Sequence, residues 1–259
     1  MLDLTTIIGL LIGVAAIVLG VMDAGGQANH FVNLGALGII LGGTGGATIA
    51  QFPWSDLVEF PRVFGKLLFH RASDSIQIVR DFVRYAEIAR KDGILALEGV
   101  AEEIRDPFVV RGLQLAIDGT DPDVIQAMLT TELEGIAARH ELGRKFFETL
   151  SLFFPAFGLV GTLTGMIVMM KNMNNPNEVG PGMSQALCAT LYGTIGCYVF
   201  ANPLAKKLEI RSREELTVKE MVIKGILAIQ SGDNPRIVEQ KLRLFLPPRV
   251  REQMQSDRA

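Results

Sequence analysis

Residues 155–165 read PAFGLVGTLTG and lie in a stretch otherwise apolar enough for lipid, yet they include a proline, three glycines and two threonines. At 100° per residue, Pro155, Gly158, Thr162 and Gly165 share one helix face, with Thr162 about 10 Å further along the helix than Pro155. A second segment repeats the pattern with Thr190, Gly193, Thr194 and Cys197. Small residues let helices approach closely, and hydroxyls on such a face can bond across it or replace part of an ion's hydration shell. Gly158, Gly161, Gly165 and Gly193 are therefore expected packing positions, and Thr162 and Thr190 candidate ion ligands. The same pattern equally suits a tight pair of helices within one chain, its threonines bonded back to their own backbone. On the residues alone both readings stand.

Other candidate chemistry is weaker. GGTGGAT at Gly42–Thr48 has the glycines of a phosphate loop but lacks its Gly-Lys-Ser/Thr ending and sits in an apolar segment, so helix packing is the better reading. Asp118, Asp121 and Asp123 lack the glutamate a calcium loop requires, and Asp121 before Pro122 reads as a helix cap. His30, His70 and His140 have no metal partner at ligand spacing. Cys188 and Cys197 are too far apart on one helix to bridge and read as reduced packing residues. No nucleophile–base pair or paired carboxylates emerge, so no catalytic residue, enzyme activity, metal or cofactor is expected.

The elements that position these residues follow from hydropathy. Four stretches are each long enough to cross a bilayer: Leu4–Met22, Val32–Ala50, Leu150–Met170 and Met183–Leu204. None contains Asp, Glu, Lys, Arg or His. Of the 25 Lys and Arg, 12 fall in 53–149 and 12 in 206–259, leaving only Lys171 elsewhere. The positive-inside rule then places both termini and the long loop in the cytoplasm, with 23–31 and 172–182 outside. Ile76, Val79, Phe82, Val83 and Ala86 mark an amphipathic helix in the loop. Val124, Ile125, Met128, Leu129, Leu133 and Ile136 mark another, uninterrupted as far as Phe154 and so expected to run straight into the third span. The tail reads as helical up to the SGDNP turn at 231–235, followed by a short helix before Pro247. The expected fold is an all-α integral membrane protein: spans 1 and 2 (1–52), a cytoplasmic helical domain (53–149), spans 3 and 4 (150–205) and a cytoplasmic helical tail (206–259). Because the spans hold no carboxylate or histidine, ion transfer through them requires a titratable group from a second protein.

Taken together, several motifs resemble the MotA/PomA-type flagellar stator subunits, within the wider group that includes TolQ and ExbB. They are FVN and LGGTGGAT in the second span, ARKDGILALE in the loop and PAFGLVGTLTG in the third span. To these add NMNNPNEVGPGMSQAL and ATLYGTIG, then ANPLAKKL, and GILAIQSGDNPRIVEQKL in the tail. The match runs essentially end to end. It implies an ion-driven rotary motor subunit of the bacterial inner membrane, five copies surrounding two copies of a MotB/PomB-type single-span, peptidoglycan-binding partner that supplies the ion-accepting aspartate. It implies that Pro155 and Pro203 couple ion flow to movement, that Thr162 and Thr190 line the ion path, and that Arg90, Lys91 and Glu98 engage the rotor's switch-complex protein. Those three charged residues otherwise read as a solvated helix face. Unlike some relatives, the chain has Gly99 and Ala101 rather than further acidic residues after Glu98. Thr at 162 resembles the sodium-type members, where proton-type members tend to have Ala, although some sodium-type relatives carry Asp where this chain has Asn33. Sodium is the expected transported cation, favoured over a proton; no cofactor is implied. The alternatives are a proton-driven energiser of gliding or outer-membrane transport, and a non-conducting four-span scaffold.

Overall fold

The computed structural model of the chain describes residues 4–23, 25–26, 28–58, 60, 65 and 75–256. His70 lies outside them. The described residues are all-helical, as the sequence predicts. The principal elements are α1 (Leu4–Asp23), a 3-10 turn (Ala28–Phe31), α2 (Leu34–Gln51), α3 (Ser75–Asp92), α4 (Leu97–Ala101), α5 (Pro107–Ile117) and α6 (Pro122–Lys171). They continue through α7 (Pro176–Ile195), a π-helical segment (Gly196–Ala201), α8 (Asn202–Gln230), α9 (Pro235–Arg243) and α10 (Pro248–Ser256). Among the described residues, four helices are long and apolar enough to cross a membrane: α1, α2, α6 and the run through α7 into α8.

Local signals set the helix starts. Asp121 accepts the Asp123 N–H at 2.9 Å ahead of Pro122, so the capping reading of that aspartate is the one the backbone uses. Asn33, Asp106, Asn175 and Asn234 cap α2, α5, α7 and α9 in the same way. The SGDNP turn closes α8 with Gly232 at φ 72° and the Asp233 N–H reaching back to the Ala228 carbonyl, a conformation that favours glycine. α6 is a single 50-residue helix, about 75 Å long, running unbroken from the loop through Pro155 to the end of the third apolar stretch. The sequence foretold that continuity.

The chain divides into two compact units: Met1–Arg71 with His140–Ile210, and Ala72–Arg139 with Arg211–Ala259. In the second, Val79, Phe82 and Ala86 of α3 join Phe108, Leu113, Ile125, Leu129, Met221, Ile226, Val238 and Leu242 in one core. Ile76, Val83 and Ile136 pack against it, so both amphipathic stripes expected in the loop are core faces. Val124 and Met128, off the stripe of Ile125, Leu129 and Leu133, are exposed. Gly225 is where Phe82 seats: a Cβ there would lie 2.4 Å from the ring. In the first unit, composition and packing draw different borders. Phe147, Leu204 and Ala205 are buried together beside Leu10, Phe146, Leu150 and Leu208, so packing places both Phe147 and Leu208 with the apolar helices.

Candidate functional site

The glycines of PAFGLVGTLTG face the chain's own fourth apolar segment. A Cβ on Gly165 would stand 2.7 Å from the Ala186 amide nitrogen, and one on Gly161 2.5 Å from the Ala189 Cβ. Gly158 faces the Ala189 carbonyl and the Gly193 Cα, and a Cβ on Gly193 would lie 2.6 Å from the Phe154 carbonyl. The backbones of α6 and α7 therefore meet almost directly, as small residues permit. Of the two readings the stripe allows, these contacts are those of a tight helix pair within one chain, with α7 against the glycines.

The threonines lie along that seam. The Thr162 hydroxyl is 2.9 Å from the Gly158 carbonyl, 3.2 Å from the Ala186 carbonyl and 2.5 Å from the Thr190 hydroxyl. Thr190 in turn lies 3.4 Å from the Ala186 carbonyl. Thus the back-bonding and the cross-helix bond read as alternatives in the sequence occur together. Two hydroxyl protons serve a cluster of four oxygens, leaving lone pairs uncommitted. Thr162 is half-buried and Thr190 exposed, so the cluster opens at the edge of the seam. Thr194 is exposed one turn on, its hydroxyl donated to the Thr190 carbonyl. In apolar surroundings such oxygens can take the place of ion-bound water.

Pro155 is half-buried inside α6, where its ring removes the N–H that would have bonded the Ser151 carbonyl. The Ser151 hydroxyl lies 3.2 Å from Cys197 Sγ, at the start of the π segment. Pro203 lies two residues beyond that segment, after Asn202. The Asn202 N–H reaches back five residues to the Cys197 carbonyl, the wide-turn bond of a π-helix. Because Pro203 has no N–H to give the preceding turn, the helix widens there instead of continuing its regular ladder. No sequence signal beyond the proline announced this irregularity.

GGTGGAT lies within α2, and the helix packing expected of its glycines is found at Gly43 alone. Gly43 accepts the Phe157 ring, which a Cβ would meet at 2.1 Å, whereas Gly42, Gly45 and Gly46 have nothing within 4 Å. Cys188 and Cys197 are free and buried. Among the described residues no group of acidic, cysteine or histidine side chains could hold a metal.

Arg90 and Lys91 lie in the last turn of α3 and Glu98 in the first turn of α4, each favourable to its helix dipole. Gly93, at φ 85°, bends the chain between them. All three charges are exposed, and Leu95 between them is 68% exposed. Leu95, not singled out in the sequence, gives this charged corner an apolar centre.

Two further features escaped the sequence reading. Tyr192 of α7 accepts the Asn33 N–H at 2.9 Å and donates to the Phe31 carbonyl, binding the start of α2 to α7. The cue was a tyrosine in an apolar segment, where a hydroxyl must find a partner. A cavity of about 460 Å³ also lies among Thr48, Ile49, Leu57, Phe60, Phe146 and Leu150. Phe60 stacks on Phe146 there with centroids 3.8 Å apart.

Comparison with known proteins completes the picture. The family model described as the MotA/TolQ/ExbB proton channel family matches residues 100–221. The chain is 39% identical to YtxD of Bacillus subtilis (strain 168) over 94% of its own length and 90% of that protein's. It is 38% identical to Motility protein A of Borreliella burgdorferi over 98% of each chain. The flagellar MotAB stator complex from Bacillus subtilis superposes with a TM-score of 0.90 at 32% identity, covering 97% of this chain and 99% of that one. With its four apolar helices, its glycine-packed α6–α7 seam and full-length relatives at this identity, the chain belongs to the MotA/TolQ/ExbB proton channel family, among its Motility protein A members.

Proposed function

We propose that this chain is the stator subunit of a bacterial flagellar motor, conducting cations inward alongside a MotB/PomB-type single-span partner and converting their flow into torque on the rotor. The observation that carries the reading is the oxygen cluster of Thr162, Thr190 and the Ala186 carbonyl. It stands at the open edge of a seam whose apolar segments contain no Asp, Glu, His, Lys or Arg. Such a site can partly dehydrate a cation but cannot hold a proton as a carboxyl group does, so the partner supplies the acid. The Bacillus subtilis structure, a MotAB stator complex, supports a partner of that kind.

Sodium suits the cluster better than a proton, because neutral oxygens ligate a metal cation while a proton hop has no need of them. Pro155 and Pro203 act at the two places where the helical ladder is interrupted, and there movement of α6 and α8 is coupled to ion passage. Arg90, Lys91 and Glu98 form the rotor-docking corner, where exposed charges steer the partner. Both termini and residues 53–149 and 206–259 are cytoplasmic in the inner membrane, five copies surround the partner, and the protein works without enzymatic activity or cofactor.

The test is co-expression with the adjacent single-span gene in cells lacking their own stator. Motility is expected to require sodium and to be lost in Thr162→Ala. Swimming that persists unchanged in sodium-free medium but collapses with a protonophore rejects the ion assignment.

A further inference from the structure

The clamp made by Tyr192 has a consequence for the threonine pair. Its hydroxyl serves two backbone groups at once, the carbonyl of Phe31 at the end of the 3-10 turn and the N–H of Asn33 at the start of α2. Asn33 in turn accepts the Ala36 N–H at 3.0 Å. Backbone groups beside an apolar segment need such partners, and a single phenol is supplying them across 159 residues of sequence. Beyond the clamp, α2 meets α7 through Ala36 and Ile40 against Cys188 and Ala189, with Gly35 beside Gln185, while Gly43 takes the Phe157 ring of α6.

Ala189 connects the clamp to the pair. It is fully buried, packed with Ala36 and Ile40, while a Cβ on Gly161 would come within 2.5 Å of its own Cβ. It is therefore wedged between α2 and α6, one residue before Thr190 and three before Tyr192. Any slip of α7 against α2 must move Ala189 in this wedge, and with it the Thr190 hydroxyl relative to Thr162.

We propose that Tyr192 is a positioning residue: by pinning the start of α2 to α7 it sets the spacing of the Thr162 and Thr190 hydroxyls. Its link to ion use rests on the reading of that pair as the ion path; the positioning itself does not. Two readouts separate them. In the full chain co-expressed with its partner, with Cys188 and Cys197 replaced by alanine, Thr162→Cys and Thr190→Cys place two thiols at facing positions. The rate of intrachain 162–190 disulfide formation with copper–phenanthroline in membranes reports their spacing. Tyr192→Phe is expected to slow it severalfold, and Tyr198→Phe, at a tyrosine that is 63% exposed on the same run, to leave it unchanged. Equal rates with and without the Tyr192 hydroxyl overturn the proposal.

With native cysteines, Tyr192→Phe is expected to raise the half-saturating sodium concentration for swimming severalfold, keeping speed at saturating sodium within twofold. Unchanged half-saturation with a speed that falls only in proportion to the protein in the membrane assigns Tyr192 to folding alone and overturns the proposal as well. If wild-type swimming does not respond to sodium, the ion assignment fails, while the disulfide rates still decide the role of Tyr192.

Discussion

The hydroxyl oxygens of Thr162 and Thr190 lie 2.5 Å apart across the α6–α7 seam. Each also lies within reach of the Ala186 carbonyl, so neither hydroxyl is replaceable by a methyl of similar size without removing an oxygen from the cluster. Thr162→Ala and Thr190→Val are expected to abolish swimming at normal membrane levels of the protein, and Thr162→Ser to retain part of it. Swimming-speed measurements with a parallel immunoblot check this, and full speed in Thr162→Ala contradicts it.

Glycines on the seam and off it respond differently to an added side chain. Gly193→Val drives its Cβ toward the Phe154 carbonyl, and overpacking of this kind costs about 1–3 kcal/mol. Gly42→Ala meets nothing within 4 Å, and its effect on the isolated chain is expected to stay within about 0.5 kcal/mol. The yield of folded complex after detergent extraction separates the two, falling for Gly193→Val alone.

The extent to which these features were legible in the sequence depends on their range. The apolar stretches, the Asp121 cap and the passage of α6 through Pro155 are written in neighbouring residues, and they stood out. A stripe such as Gly158, Gly161 and Gly165 announces close approach but not by which helix, because small residues leave no record of their partner. α7 as that partner is a tertiary fact. The bond between Tyr192 and Asn33 joins residues 159 apart, so only the lone hydroxyl in an apolar run hinted at it. The π segment before Pro203 depends on how several turns share one missing donor, which no single residue type encodes.

At the charged corner, Arg90→Glu and Glu98→Lys alter exposed side chains, and stability is expected to change by no more than about 0.5 kcal/mol. Swimming is expected to fall severalfold while ion flux and partner assembly are retained. Leu95→Ser is expected to act in the same direction, since it removes the exposed apolar centre of the corner. Coupled loss of flux in these variants contradicts a docking role.

In the second unit, Glu239 is buried and in ion-pair contact with Arg243 at 2.6 Å, an approach of charges rather than an aligned hydrogen bond. Glu239→Gln strands a largely buried guanidinium, and loss of one partner of a buried pair costs about 3 kcal/mol. Limited proteolysis of the co-expressed complex is expected to show faster cleavage within 211–256, and unchanged resistance contradicts it.

Tyr85 is buried against Phe82 with ring centroids 5.6 Å apart. Burial first, then the nearby Asp81, raises its phenol above the ordinary value of 10.0, with Arg84 opposing and Glu103 adding least. The folded state thus holds this proton more tightly than the unfolded chain. The resulting stability is present below about pH 10 and is lost as pH climbs through the raised value. Tyr85→Phe is expected to move alkaline unfolding to higher pH, followed by circular dichroism of the purified complex. Identical midpoints contradict the assignment.

The most direct measurement is radioactive sodium uptake into proteoliposomes containing this chain and its single-span partner, compared with Thr162→Ala and with the chain alone. The expected result is saturable uptake that needs the partner and disappears in Thr162→Ala. Uptake that is indifferent to the Thr162 hydroxyl, or that the chain alone sustains, contradicts an ion path formed by Thr162 and Thr190 together with a partner's acid.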